Sequence, residues 1–298
     1  MTLERQIAAL EQAPVGGTAY LLRALPVLLG RNARLWLRFR VSMVMDLLMM
    51  AAQASTFFFL GSTLAVTGRQ DWQTHYAAFL AVGVVFSTVL EASLTGPYQA
   101  LSMDYWTSRL ETILLSPCPV WLSVLAQVGW SYVRAGLNVV LLVAIGAAFD
   151  ARVEASTGDM LLALLVLALA ALGVLGFGLM SAAMFMLINA KGWNDPIAWL
   201  VSVLQGLVTG VYFPIALLPG WLHTLALWLP QTYALDAARR LLLHTSGSPL
   251  LGAGTLQPLQ ADLIVLFVFA LLLPLLGASL FAAGLTKAKQ DGGLSRWT

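Results

Sequence analysis

The chain has 298 residues, of which 59% are hydrophobic and only 10% are charged. A soluble globular protein carries roughly 45–50% apolar and about 25% charged residues, so an ordinary soluble enzyme is excluded and the surplus apolar residues are expected to contact lipid. The net charge of +2 and the lack of a dense basic run argue against a nucleic-acid-binding protein. A single cysteine, Cys118, allows neither an intrachain disulfide nor a cysteine-rich metal site.

Six stretches between charged residues are apolar enough to cross a membrane, which takes about 20 mainly apolar residues. They lie between Asp46 and Arg69, between Asp71 and Glu91, from Pro119 to Phe149 with Arg134 inside, from Met160 to Ile188, from Pro196 towards Phe213, and from Leu263 to Leu285. The sequence therefore predicts an all-α membrane protein with six transmembrane helices. We expect one transmembrane domain over residues 1–298, with an N-terminal segment 1–40, a six-span core 41–286 and a tail 287–298.

The basic residues predict the orientation, because positive charges accumulate on the cytoplasmic side of membrane proteins. With a cytoplasmic N-terminus, the outer side holds only Arg69, Arg152, Arg239 and Arg240. The inner side then holds all the others named here: Arg5, Arg23, Arg31, Arg34, Arg38, Arg40, Arg109, Lys191, Lys287, Lys289 and Arg296. Both termini are expected in the cytoplasm, and the location is expected to be a bacterial-type plasma (inner) membrane.

The stretch from Tyr20 to Arg40 is too charged to cross a membrane. Its Arg31, Arg34 and Arg38 share one helical face, and its apolar residues share another. This pattern favours a helix lying in the inner membrane interface, although a basic flank that only enforces topology is the alternative.

The segment between the second and third predicted spans has the pattern of an amphipathic helix. Its apolar stripe comprises Met103, Trp106, Leu110, Ile113 and Leu114, and its polar face comprises Asp104, Thr107, Ser108, Glu111 and Thr112. The helix is expected to end at Ser116-Pro117, because a proline forces the preceding residue out of the α region. It is either an interfacial connector or a docking helix for a soluble partner, and periodicity does not separate the two.

The segment from Pro196 to Leu235 contains no acid, Lys or Arg, but Pro214, Pro219 and Pro230 prevent it from forming a single helix. We expect a span that ends near Phe213, followed by a hydrophobic piece that dips into the outer leaflet without crossing. The next segment, from Tyr233 to Leu243, reads as an amphipathic helix that exposes Asp236, Arg239 and Arg240 outside.

These two segments resemble the membrane subunits of type-2 ABC exporters. Residues 104–121, DYWTSRLETILLSPCPVW, are similar to the family's coupling-helix pattern G-T-L-E-x-L-L-x-[ST]-P, with Ser108 and Arg109 standing where the family usually has Gly-Thr. Residues 210–239 are similar to the family's signature G-x-x-F-P-x-x-x-L-P-x-W-L…P-x-T-Y-x-x-D-x-x-R. The matching positions are Gly210, Phe213, Pro214, Leu218, Pro219, Trp221, Leu222, Pro230, Thr232, Tyr233, Asp236 and Arg239.

The resemblance implies a six-span permease with an N-terminal interfacial helix, a cytoplasmic coupling helix and a re-entrant outer hairpin before the last span. It implies two such permeases, identical or related, each docked on an ABC ATP-binding subunit. The chain has no G-x-x-x-x-G-K-[ST] phosphate loop, so we expect no enzymatic activity and no cofactor on it, with ATP and Mg bound by the partner. The coupling contacts are expected from Asp104, Thr107, Ser108, Arg109 and Glu111.

Asp46, Glu91 and Arg134 lie within or near the predicted spans, and ionisable groups at that depth are candidates for function. Glu91 and Arg134 are close enough in depth to form a pair. The pair would serve as a structural clamp, as part of the pathway lining or in proton coupling.

Three functional classes remain. The first is an exporter permease for a drug-like or lipid-like amphipathic substrate, and the second is a secondary transporter or channel without an ATPase. The third, an intramembrane enzyme, is disfavoured because His75, His223 and His244 are scattered and no paired aspartate or metal motif occurs.

Overall fold

The structure is a computed structural model. It describes residues 18–41, 43–45, 47–49, 51–52, 55–56, 70–115, 119–148, 155–187, 196–212, 215, 218–244 and 258–290. Within these ranges the chain is helical, without strands. The main helices are α1 (Thr18–Arg38), α2 (Gln70–Trp106), α3 (Arg109–Leu115), α4 (Val120–Ala148), α5 (Thr157–Leu187), α6 (Pro196–Val208), α7 (Gly220–Ala226), α8 (Pro230–Leu243) and α9 (Pro258–Gln290).

Three stretches are long and apolar enough to cross a membrane: Ala78–Trp106 within α2, all of α5 and all of α9. They confirm helices at the second, fourth and sixth predicted spans. The fifth prediction corresponds to α6, a shorter apolar helix of 13 residues. The third corresponds to α4, whose 29 residues include Arg134, and most of the first lies outside the described residues.

Helix α5 is the centre of the bundle, since it packs against α2, α6, α8 and α9. Its N-terminus is closed by a capping box, in which the Ser156 hydroxyl donates to the Asp159 carboxylate over 2.7 Å and accepts from the Asp159 backbone N–H. Gly176 of α5 meets Gly277 of α9, where a Cβ on Gly176 would lie 2.3 Å from the Leu273 carbonyl carbon. Small residues allow such close approach of helices in lipid.

Helix α1 confirms the helix predicted over Tyr20 to Arg40, although it ends at Arg38. It packs against α4: the Asn32 amide donates to the Gln127 side chain over 3.0 Å, and the Trp36 and Trp130 rings meet edge to face. Apolar side chains at the end of α1 and just beyond it are exposed, among them Leu37 and Phe39.

Two predicted boundaries are wrong. The second span was expected to end near Glu91, but α2 continues to Trp106, so Glu91 lies about midway along the apolar stretch Ala78–Trp106. The amphipathic helix expected to carry the stripe from Met103 to Leu114 and to end at Ser116-Pro117 is interrupted at Thr107 and Ser108, because Ser108 has the left-handed backbone conformation (φ 55°). The predicted stripe is therefore divided between α2 and α3.

Candidate functional site

The segment after α6 is a helical hairpin formed by α7 and α8. Helix α6 ends at Val208 rather than near Phe213, and the chain then bends through Gly210, which has φ 82°. Glycine adopts this conformation without steric penalty, which explains its place in the signature. Phe213 and Pro214 lie outside the described residues.

The remaining signature residues shape the hairpin. Pro219 caps the start of α7, and Pro230 occupies the first turn of α8, where a missing backbone N–H is tolerated. The Thr232 hydroxyl donates to the Ala226 carbonyl over 2.7 Å, and the Tyr233 hydroxyl donates to the Leu227 carbonyl over 3.0 Å. These bonds close the turn between the helices, while Trp221 is exposed.

Arg239 fastens the hairpin to α2. Its guanidinium donates to the carbonyls of Gly210 (2.7 Å), Val211 (3.1 Å) and Phe79 (3.3 Å). The guanidinium carbon also lies 3.3 Å from the centroid of the Phe79 ring. Gly83 lets α2 approach, since a Cβ there would lie 2.6 Å from the Val211 carbonyl oxygen. We call Arg239 and its three carbonyl acceptors the outer clamp.

The prediction that α8 exposes its charged side chains is wrong. Arg239 is only 7% exposed, because the bend at Gly210 brings carbonyl groups to it. The Arg240 and Asp236 side chains are also largely buried and form an ion pair of 2.7 Å. Arg240 lies 3.9 Å from the buried Asp262 carboxylate of α9 as well, so these charges connect α8 to α9.

At the other end of α2, Asp104 and Arg109 close the turn between α2 and α3. The Arg109 guanidinium lies 3.3 Å from Asp104 and donates to the Thr107 hydroxyl over 2.9 Å. The Ser123 hydroxyl of α4 donates to the second Asp104 oxygen over 2.9 Å. We call Thr107 and Ser108, together with Asp104 and Arg109 on either side, the inner turn.

The inner turn presents a surface different from the one predicted. Asp104 was expected on an exposed polar face, but it is buried, and Leu110 of the apolar stripe is buried too. The exposed side chains are those of Met103, Trp106, Thr107 and Thr112. Glu111 lies on α3, and its side chain is outside the described part.

Tyr105 anchors the inner turn in the bundle. Its side chain is buried, and its ring meets the Phe185 ring of α5 edge to face, with centroids 5.7 Å apart. Together with the bond from Ser123, this contact joins the turn to α2, α4 and α5.

The pairing of Glu91 with Arg134 stays a prediction. The Glu91 carboxylate accepts from the Ser202 hydroxyl of α6, with 3.3 Å to each oxygen, and Arg134 lies half-buried on α4. Asp46, the other intramembrane candidate, lies outside the described residues.

Glu91 borders a cavity of about 400 Å³ between α2, α4 and α6. Its polar lining comprises Ser87, Thr88, Glu91, Asn138, Ser202 and Gln205, and Tyr212 closes one side. Sequence reasoning identified only Glu91. The signal for the others is polar residues at helical spacing inside apolar helices, at 87, 88 and 91 and again at 202 and 205. We call this space the polar cavity.

Within the residues that the structure covers, no group of three or more His, Cys, Asp or Glu side chains is arranged to hold a metal ion. A search of the curated proteins gave no match. The family model of the ABC-2 type transporter matches residues 24–243, from α1 through the outer hairpin. The chain belongs to this family. It is a multi-pass membrane permease component of an ABC transporter, associated with an ATP-binding subunit, and such permeases carry neither a nucleotide-binding domain nor a cofactor themselves.

Proposed function

We propose that this permease exports an amphipathic drug-like or lipid-like substrate from the cytoplasm or inner leaflet by alternating access. Two permeases and two ATP-binding subunits form the complex, and both termini of each permease are cytoplasmic. The six spans are the described apolar helices together with α4 and the region between residues 46 and 69. The outer hairpin dips into the outer leaflet, and α1 lies in the inner interface.

The observation that carries the proposal is the continuity of α2. One end of this helix contributes Phe79 to the outer clamp, and the other contributes Asp104 to the inner turn. Phe79 and Asp104 are 25 residues apart on this helix, which corresponds to about 37 Å at 1.5 Å per residue. A displacement of the inner turn is therefore transmitted to the outer hairpin along one continuous helix, which contains Pro97.

The exposed side chains next to the inner turn supply the docking surface for the ATP-binding subunit. Met103, Trp106 and Thr112 point away from the bundle, while Asp104 and Tyr105 hold the turn to α4 and α5. ATP-driven closure of the partners pushes the two inner turns together and switches the helices between inward and outward access as rigid bodies.

The test compares two exposed tryptophans at opposite ends of the molecule. Trp106→Ala removes an aromatic side chain from the docking surface, and Trp228→Ala removes one from the turn of the outer hairpin. Buried aromatic residues contribute strongly to protein interfaces, so we expect Trp106→Ala to reduce ATPase co-purification at least about tenfold and Trp228→Ala to leave it unchanged. The permease is purified in mild detergent after co-expression with candidate ATP-binding subunits.

Two results would contradict the proposal. Equal recovery of the ATPase with both variants places the docking surface elsewhere. Substrate movement by the isolated chain in liposomes, without ATP or a partner, identifies a secondary transporter instead.

A further inference from the structure

We infer that the polar cavity binds the ammonium head group of an amphipathic substrate. The inference rests on the proposed export function and specifies the chemistry of its cargo. It is carried by the hydrogen-bonding state of the cavity wall.

The hydroxyl hydrogens that α2 and α6 contribute to the wall are engaged within the protein. The hydroxyls of Ser87 and Thr88 both donate to the backbone carbonyl of Val84, over 2.9 and 2.8 Å. The Ser202 hydroxyl donates to Glu91, and the Gln205 amide nitrogen donates to the Ser87 carbonyl over 3.5 Å.

Acceptor positions remain on the groups that line the cavity. The hydroxyl oxygens of Ser87 and Thr88 keep lone pairs, and the Glu91 carboxylate has more acceptor positions than the single Ser202 hydroxyl fills. These open acceptor positions favour a ligand rich in donors.

The charge of the cavity wall favours the same kind of ligand, one with an ammonium group. Of the described residues that line the cavity, Glu91 alone is formally charged at neutral pH. A primary ammonium group brings three donors, no acceptor and a positive charge, which matches this wall. A phosphate or carboxylate head group brings acceptors and a negative charge, and is disfavoured.

The surroundings accommodate an apolar tail. The flanking helices expose Val203 and Leu207 on α6 and Leu137 and Val140 on α4. A cavity of about 400 Å³ lies within the range of roughly 300–1,000 Å³ typical of small-molecule sites. The head group would occupy the cavity and the tail would contact the apolar helix surfaces or lipid.

The test measures binding by the full chain in phosphatidylcholine nanodiscs, from the ligand-dependent rise in unfolding temperature. Four amphiphiles with one alkyl chain are compared: dodecylamine, dodecyltrimethylammonium, dodecanol and dodecyl phosphate. We expect affinity to fall in that order, because the quaternary group keeps the charge but loses the donors. Sodium chloride is a separate arm, and equal protection by sodium would overturn the inference in favour of an inorganic cation site.

Variants locate the site. Glu91→Gln keeps the side-chain shape and removes the charge, and Thr88→Val keeps the shape and removes a hydroxyl acceptor of the lining. A hydrogen bond to a charged group corresponds to about a tenfold or larger change in affinity, so we expect each variant to weaken dodecylamine binding by at least that factor. Thr286→Val is the matched control, because Thr286 is exposed on α9 and its hydroxyl donates to the carbonyl of Ala282 just as that of Thr88 donates to Val84. It should bind like the unaltered chain.

Unaltered affinity in both Glu91→Gln and Thr88→Val, or equal binding of dodecanol and dodecylamine, would overturn the inference. Because two substitutions are read independently, misfolding of one does not decide the result. Adding phosphatidylethanolamine to the nanodiscs identifies the source of the ammonium group: competition with dodecylamine indicates a lipid cargo, and no competition indicates a soluble amphipathic amine.

The binding assay needs no ATPase and so separates the two proposals. Selective binding without an associated ATPase would contradict the export mechanism and leave the ammonium site standing. ATP-driven export together with amphiphile binding that does not depend on the ammonium group would contradict only the proposed ammonium site in the polar cavity.

Discussion

The outer clamp and the inner turn both use an arginine to hold a change in chain direction, but the two arginines are held differently. Arg239 is buried and its positive charge faces three backbone carbonyls and an aromatic ring, with no carboxylate among these partners. Arg109 has a side chain that is 37% exposed and pairs with the buried carboxylate of Asp104.

This difference indicates that the two ends of α2 have different structural roles. Three carbonyls and an aromatic ring surround the buried guanidinium, so the outer clamp fixes one geometry. A partly exposed ion pair contributes little to stability because water screens it, so the inner turn is adjustable at low cost. A rigid clamp at one end of α2 and an adjustable turn at the other suit the proposed transmission of force from the docking surface.

The largest effect is expected from breaking the outer clamp with Arg239→Met. The substitution keeps much of the apolar side-chain volume but leaves the carbonyls of Gly210, Val211 and Phe79 without these donors. Hydrogen bonds from charged groups contribute about 1.5–3 kcal/mol each, with incomplete additivity, so we expect a loss of about 3 kcal/mol or more in unfolding free energy. Thermal unfolding of the purified permease in detergent measures it.

Arg34→Met is the control for this experiment. Arg34 is exposed on α1, and its side chain bonds to the Gly30 carbonyl of its own helix. Surface substitutions of this kind usually change stability by no more than about 0.5 kcal/mol. Similar losses in the two variants would show that the outer clamp has no special role in stability.

A smaller effect on stability, with a distinct effect on coupling, is expected from Asp104→Asn. The amide oxygen still accepts a hydrogen bond, but the ion pair with Arg109 is lost. We expect a loss of about 1 kcal/mol or less, given the exposure of Arg109, together with a several-fold lower rate of ATP-dependent transport in proteoliposomes. A variant as destabilised as Arg239→Met, or one with unchanged transport, would remove the contrast between the two ends of α2.

The comparison also explains what the sequence predicts. The apolar runs that became α2, α5 and α9 were identifiable because lipid requires long uninterrupted apolar helices. The burial of Arg239 was not identifiable from the sequence. Helical periodicity assigns a charged side chain to the solvent-facing side of a helix, and it does not show that a distant bend at Gly210 supplies carbonyl acceptors. Asp104 was misplaced for a similar reason, because its partner Ser123 belongs to another helix. Glu91 was identified from its depth in an apolar stretch, but Gln205 required the approach of α6 to α2.

The smallest effect is expected at Ser108, where this chain departs from the glycine usual in the family pattern it resembles. A non-glycine residue in the left-handed region costs roughly 1 kcal/mol, and glycine in turn loses about 0.5–1 kcal/mol through the greater freedom of its unfolded chain. We therefore expect Ser108→Gly to change the unfolding free energy by no more than a few tenths of a kcal/mol.

A bulkier substitution at the same position tests whether the left-handed turn is needed. A β-branched residue is a genuine outlier at positive φ, so Ser108→Val should destabilise the protein by more than about 1 kcal/mol and reduce ATPase co-purification, while Ser108→Gly leaves both nearly unchanged. If both variants retain the ATP-binding subunit equally, the left-handed turn is not needed for docking. A helix that continued from α2 into α3 would then also allow docking. If only Ser108→Val loses the ATP-binding subunit, the geometry of the turn positions Trp106 against that subunit. Serine is then tolerated at this position because the inner turn, unlike the outer clamp, contributes little to the free energy of unfolding.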